Sequence, residues 1–183
     1  MSVLNIIMKI SKYTLLVGLT ICLVGACSSN KDGKAGVDPS LPALQAEYDK
    51  WKVFTIEQDG KRICYTTSTP IEEKGNHQSD RDAYLMVSIF GANKQEVSVS
   101  AGYSYRGGSI VSVSIDNAQE RFVAESDTIA WVEKVGSDKQ VIDKMKGGFK
   151  VLVFSESNVG TYSVDTYSLS GFKKALQKAQ SLC

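Results

Sequence analysis

The sequence predicts a mainly β fold, either an antiparallel β-sandwich or a barrel-like sheet, with a short internal helix and a C-terminal helix. Apolar and polar residues alternate with a period of two over most of residues 44–183, as they do in half-buried strands. Turn-forming residues break this alternation at short intervals, which is typical of sandwiches and barrels. Only two segments have the three-to-four-residue spacing of an amphipathic helix.

One hairpin is predicted around Asp59-Gly60, which joins 51–56 to 63–67, because Asp-Gly between alternating segments is a strong turn signal. Segment 83–90 is apolar on both faces and is therefore predicted to be a central strand. The further candidates, which bring the total to eight or nine strands, are 97–103, 111–115, 121–124, 128–132, 149–154 and 161–167.

A second hairpin turn is predicted at Arg106-Gly107-Gly108, between the strands at 97–103 and 111–115. By alternation, Tyr105 shares a face with Tyr103. Aromatic and arginine side chains concentrate at binding hot spots, so Tyr103, Tyr105 and Arg106 are candidate recognition residues. The alternative is that the two tyrosines only pack within the sheet.

The internal helix is predicted to begin at the capping box 137–140 and to end at Gly147-Gly148. The C-terminal helix is predicted over 169–182, with Phe172, Leu176 and Ala179 in one stripe that continues to the last residue, a cysteine. The lysines at 173, 174 and 178 then form a solvated side, with contact to anionic lipid as an alternative.

Residues 1–26 are predicted to be a secretory signal peptide. Lys9 and Lys12 form a positive region, and the apolar segment 15–24 is too short to span a bilayer as a helix. Either Met1 or Met8 fits as the start of such a signal. The class of protein indicated is therefore one exported across the inner membrane.

The signal ends in Leu-Val-Gly-Ala-Cys, which is similar to a bacterial lipobox, so Cys27 is predicted to be lipidated. Ordinary cleavage after Ala26 is the alternative. Ser28 follows rather than Asp, which by similarity to bacterial sorting favours the outer membrane. Segment 27–43 is then the lipidated cysteine with a flexible tether, and 44–183 is one folded domain.

The charge is nearly balanced, with 21 Lys+Arg against 20 Asp+Glu and a net charge of +1. Removal of Lys9 and Lys12 with the signal leaves 19 against 20, a net charge of −1. This balance excludes a disordered charged tail, and the absence of a dense basic cluster in the sequence gives no reason to expect a nucleic-acid partner. The expected partners are a membrane, through the lipid anchor, and an unidentified protein or host surface.

Two cysteines remain once Cys22 leaves with the signal and Cys27 takes the lipid. In an oxidising compartment, Cys64 and Cys183 are predicted to form a disulfide, with two buried free thiols as the alternative. The sequence contains no CxxC and a single histidine, so neither a redox site, a zinc site nor any cofactor is expected.

Motifs spread over residues 48–183 resemble the invasion-associated locus B family. The most specific are Cys-Tyr-Thr-Thr-Ser-Thr-Pro at 64–70 and Thr-Tyr-Ser-Leu-Ser-Gly-Phe at 166–172 before a terminal Cys. Arg81, Gly102-Tyr103, Ala130-Trp131 and Asp165 belong to the same resemblance. It implies a secreted or envelope β-rich domain with a characteristic cysteine pair, named after a factor that helps a pathogen enter host cells.

The chain is predicted not to be an enzyme. Its sequence contains no GxSxG, HExxH, P-loop or GxGxxG motif. His77 lies in the polar segment 71–82 among Glu72, Glu73, Asp80 and Asp82, whose spacing matches no calcium loop. A charged loop is predicted there, with a general base at His77 or a weak divalent-cation site as the alternatives.

The sequence therefore predicts an envelope lipoprotein that acts as a binding factor, in host-cell adhesion or invasion. The alternative is an inward-facing periplasmic lipoprotein that supports envelope integrity or assembly.

Overall fold

The computed structural model describes residues 38, 40–77, 81–91 and 94–183. The predicted signal peptide, the lipidation at Cys27 and all but the end of the tether lie outside these residues. Within them the chain forms eleven strands and two helices: β1 (Ala43–Tyr48), β2 (Trp51–Gln58), β3 (Lys61–Ser68), β4 (Glu72–Gly75), β5 (Tyr84–Ile89), β6 (Gln95–Ser100), β7 (Ile110–Ile115), β8 (Ala118–Ala124), β9 (Ala130–Val132), α1 (Asp138–Gly147), β10 (Lys150–Glu156), β11 (Tyr162–Ser168) and α2 (Phe172–Leu182).

All of the described strands belong to one sheet in the order β1-β2-β3-β5-β6-β9-β8-β7-β10-β11-β4, and every pairing in it is antiparallel. This confirms the mainly β class with two helices. The sheet curves far enough to bring β2 and β11, which each lie next to an edge strand, into contact. The indole Nε1 of Trp51 on β2 donates to the carbonyl oxygen of Ser168 on β11 at 2.9 Å. None of the helices in the described ranges is long and apolar enough to cross a membrane.

The core lies on the inner face of this coiled sheet, closed by the apolar faces of both helices. Helix α1 packs on β6, and α2 packs on β1, β2 and β3. The rings of Trp51 and Phe172 are 4.7 Å apart between centroids, which fixes α2 to β2. A disulfide joins Cys64 on β3 to Cys183, so the last residue is tied to the sheet. The predicted stripe is buried at all three apolar positions of α2: Phe172, Leu176 and Ala179.

The Asp59-Gly60 hairpin is present, and both residues have positive φ, 50° and 70°, as a tight hairpin turn requires. The predicted hairpin at Arg106-Gly107-Gly108 is wrong, because β9 and β8 lie between β6 and β7 in the sheet. The chain leaves β6 at Gly102, where φ is 72°. It then crosses the end of the sheet, where Tyr105 bridges to Ser157.

Two described strands lie where none was predicted, β1 in the segment beginning at 43 and β4 within the polar stretch 71–82. Both are edge strands. Helix α2 begins at Phe172 rather than at 169, because the amide of Leu169 donates to the carbonyl of Phe149 and Gly171 has a φ of 88°. The capping box is not formed, since the side chain of Ser137 makes no cap hydrogen bond.

Candidate functional site

Arg81 lies at the centre of a buried ionic network. Its guanidinium donates to the Asp165 carboxylate from both terminal nitrogens, Nη2 to Oδ1 at 2.6 Å and Nη1 to Oδ2 at 3.2 Å. Nη2 also donates to Glu73 Oε2 at 2.5 Å, and Nη1 donates to the carbonyl of Ala101 at 2.6 Å. The Arg81 side chain is 6% exposed and that of Asp165 is fully buried. We call Arg81, Glu73 and Asp165 the Arg81 cluster.

Backbone pairing places the two carboxylates side by side. Asp165 on β11 lies directly opposite Glu73 on β4, so their side chains emerge on one face. Arg81 reaches them from the segment between β4 and β5. Gly102 makes this approach possible, because a Cβ there would lie 2.7 Å from the amide nitrogen of Asp82 and 2.8 Å from Cβ of Arg81.

Tyr103 extends the network into the sheet. Its hydroxyl lies 2.9 Å from the Ser155 hydroxyl and 3.1 Å from the Ser163 hydroxyl, and donates to the Ser155 carbonyl. The Ser163 hydroxyl in turn donates to Asp165 Oδ2 at 3.0 Å. The Arg81 guanidinium carbon lies 5.6 Å from the Tyr103 ring centroid, within cation–π range. Both serines are completely buried, so their hydroxyls are not accessible as nucleophiles.

The electrostatics keep Arg81 charged and the surrounding tyrosines neutral. Burial acts to lower the pKa of Arg81, but hydrogen bonds and charge from Asp165 and Glu73 outweigh it, so this pKa is raised. Burial raises the pKa of Tyr105 and of Tyr167 far above the ordinary value. Arg81 therefore stays charged within the cluster, and Tyr105 and Tyr167 stay neutral.

Glu73, His77 and Asp165 offer ligand atoms within 4.8 Å of one another, a spacing that a metal ion tolerates. Arg81 Nη2 already contacts both carboxylates, so a divalent ion would have to displace a buried guanidinium. The arrangement favours an internal ion pair over the predicted alternative of a cation site. Glu72 pairs with Lys74 at 2.8 Å on β4, and Asp80 lies outside the described residues.

The three candidate recognition residues do not share one exposed surface. Tyr105 is buried, with 2% of its surface exposed, and its ring packs edge-on against Tyr103 at 5.8 Å between centroids. Tyr103 directs its hydroxyl into the network described above. Only Arg106 is exposed.

The structure also shows an exposed apolar surface that the sequence does not predict. Four large apolar side chains are exposed along one hairpin, β10–β11 with the residue before it, and we call them the hairpin patch: Phe149, Phe154, Val159 and Tyr162. Phe154 and Tyr162 point to the same face of the sheet, 6.2 Å apart between ring centroids. No local pattern marks these residues as a site. Phe154 and Tyr162 occupy outward positions of their strands, which alternation alone does not distinguish from ordinary surface positions, and Phe149 and Val159 lie outside the strands.

Comparison with known proteins shows which family the chain belongs to. The model of the family described as Invasion associated locus B (IalB) protein matches residues 51–180. The chain belongs to this family. The match contains every member of the Arg81 cluster and all of the hairpin patch. No curated protein matches the chain.

A solved IalB-type structure has the same fold. The crystal structure of invasion associated protein b from Bartonella henselae aligns with a TM-score of 0.55 and 16% sequence identity. The alignment covers 76% of this chain and 96% of the Bartonella chain. The likeness therefore extends over essentially the whole of that structure, and neither description includes an enzymatic activity.

Proposed function

We propose that this IalB-family chain is a membrane-anchored binding protein of the bacterial envelope and that its domain contacts a host-cell surface. The observation that carries the proposal is the hairpin patch, in which Phe149 and Val159 are at least 80% exposed. Soluble domains seldom leave several large apolar side chains exposed on one hairpin unless the surface binds something. The description of the family as invasion associated supports a partner on the host.

Binding through the hairpin patch would cost little conformational entropy. Phe154 and Tyr162 lie on paired strands, neither of which is an edge strand, so their backbone is already ordered before a partner arrives. Each aromatic ring has few rotatable bonds and offers a large apolar area. The disulfide between Cys64 and Cys183 keeps the domain folded outside the cell.

Anchorage is the second half of the proposal. The sequence before residue 28 ends like a lipobox, and acylation of Cys27 would hold the domain at the membrane by about 0.8 kcal/mol for each buried methylene. The tether would enter the domain at β1, an edge strand.

A complementation experiment tests the binding face. A deletion strain carries the wild-type gene, the double variant Phe154→Ser with Tyr162→Ser, or a control double variant, Leu44→Ser with Val135→Ser. The control removes two apolar side chains that lie away from the hairpin and are more exposed than Phe154 and Tyr162. Loss of two interface aromatics is expected to lower host-cell attachment by about tenfold or more, while the control behaves as wild type. Equal attachment by all three strains, at equal protein levels, would refute the proposal.

Protease treatment of intact cells tests the orientation. Cleavage of the domain, with a periplasmic control protein left intact, supports the outward-facing binding protein. Protection until the outer membrane is opened instead supports the inward-facing alternative, a periplasmic lipoprotein for envelope integrity or assembly.

A further inference from the structure

The outer side of α2 carries three lysines, Lys173, Lys174 and Lys178, and none of them makes an ion pair with a described residue. Helix α1 is the internal comparison, because each of its three lysines has an acidic partner: Lys139 and Lys146 pair with Asp143, and Lys144 pairs with Glu120. The chain thus neutralises the lysines of one helix and leaves those of the other uncompensated. We call the three residues of α2 the lysine face.

The position of these charges is unfavourable for the isolated domain. Lys173 and Lys174 lie in the first turn of α2, where the unpaired backbone amides already give the helix a partial positive charge. That turn contains no acidic residue, and Gly171 at the N-cap offers no side-chain hydrogen bond. The Asp49 carboxylate lies beside this end of the helix, where it accepts a hydrogen bond from Ser170 Oγ at 3.0 Å. It makes no ion pair with any of the three lysines. An anionic surface outside the molecule would offset the positive charge that remains.

The lysine face lies close to the point where the tether enters. Ala43 pairs with Thr55, Thr55 pairs with Cys64, and Cys64 is bonded to Cys183 at the end of α2. Two strand spacings, the disulfide and the length of α2 together place the lysines within roughly 30 Å of residue 43. Covalent geometry limits the distance from Cys27 to residue 43 to about 55 Å. A lipid anchor therefore keeps this face within reach of the bilayer.

We propose that the lysine face docks onto anionic phospholipid headgroups of the membrane that holds the chain, and so fixes the orientation of the domain. The proposal rests on the anchorage proposed above. It commits to a bilayer rather than to an acidic protein because an anchored tether would keep a phosphate-bearing surface always within reach of α2. Lysines at such a surface each strengthen binding by a factor of about five.

Vesicle co-sedimentation tests the docking without requiring acylation. The mature chain from residue 27, with Cys27→Ser, contains every described residue and is mixed with vesicles of phosphatidylcholine alone or with added phosphatidylglycerol. The variants are K173Q/K174Q/K178Q and, as a control with the same charge change, K139Q/K144Q/K146Q on α1. Glutamine keeps the helix propensity of lysine, and circular dichroism and an intact disulfide verify folding.

We expect binding only to the vesicles with phosphatidylglycerol, a loss of about 100-fold in the α2 variant and little loss in the α1 variant. Binding should also disappear in about 1 M salt, where the screening length falls to about 3 Å. Equal loss in both variants, or no binding by the unsubstituted chain, would overturn the docking proposal. Because Cys27 is replaced throughout, such a failure leaves the proposed anchor and the hairpin patch untouched.

Discussion

Arg81 and Asp165 are 84 positions apart in the chain and form a two-nitrogen, two-oxygen ion pair that is almost wholly buried. The pair connects the segment before β5 to β11, at the edge where β4 ends the sheet. Together with Glu73, it holds β4 in place although that strand exposes all four of its residues. The exposed edge strand is thus stabilised from inside the domain.

Removing one partner of this ion pair should be costly. Arg81→Gln leaves a buried carboxylate without its counter-charge, which typically lowers the free energy of unfolding by about 3–5 kcal/mol. Urea unfolding followed by tryptophan fluorescence measures the change. Arg121→Gln is the matched control, because Arg121 pairs with Glu133 on the surface and should contribute little. Similar losses in the two variants would contradict a structural role for Arg81.

Gly102 should tolerate no side chain. Gly102→Ala must accept an unfavourable φ and also displace backbone and side-chain atoms of residues 81 and 82. Gly108 has nearly the same φ, 73°, but open space around its Cα, so Gly108→Ala isolates the cost of φ, about 1–2 kcal/mol. Thermal unfolding should show a clearly larger decrease in melting temperature for Gly102→Ala than for Gly108→Ala. A smaller decrease for Gly102→Ala would mean that residues 81 and 82 move aside at little cost.

The disulfide should matter more than any single apolar contact of α2. It closes a loop with a sequence separation of 119, and the chain-entropy account gives on the order of 4–5 kcal/mol for such a loop. Cys183→Ser is therefore expected to lower the melting temperature and to speed amide exchange in α2. Cys27→Ser serves as the control and should leave the melting temperature unchanged. An unaltered melting temperature on adding reductant to the wild type would count against the prediction.

Stability should fall in alkali because the buried tyrosines resist ionisation. Burial raises the pKa of Tyr84 from 10.0 to about 12, so the folded state keeps a proton that the unfolded state loses. Tyrosine burial thus leaves stability unchanged below about pH 10 and lowers it as the pH rises towards 12. Tyr84→Phe removes this contribution, on the order of 2 kcal/mol. Urea unfolding between pH 9 and 11 should show a shallower decline for the variant, and parallel curves would disprove the assignment.

Features that depend on neighbouring residues, such as a tight turn, could be predicted from the sequence, whereas the pairing of distant strands could not. The Asp59-Gly60 turn was predictable because a two-residue hairpin needs residues that accept a positive φ. The pairing across 106–108 was not, since alternation shows which face is buried but never which strand is the neighbour. Strand β4 was hidden because an edge strand exposed on both faces has no apolar alternation.

The site was less predictable than the fold. The sequence points to Arg81 and Asp165 only through the family resemblance, because a contact between residues so far apart in the chain leaves no local pattern. Alternation predicts only that Tyr103 and Tyr105 share a face, and it does not reveal that Tyr105 is buried or that the Tyr103 hydroxyl bonds to buried serines.

The register from Ala43 through Thr55 to Cys64 also decides how the domain would bear force. A pull applied through residue 43 meets the backbone hydrogen bonds between β1 and β2 first, and β1 is an edge strand with an irregular register near Leu44. Those bonds would therefore be the first to break. The load then passes to β2 and β3, where the covalent bridge to Cys183 keeps α2 seated on the core. If β1 detaches first, the rest of the domain, held by the disulfide, would stay folded while shear stretches the tether.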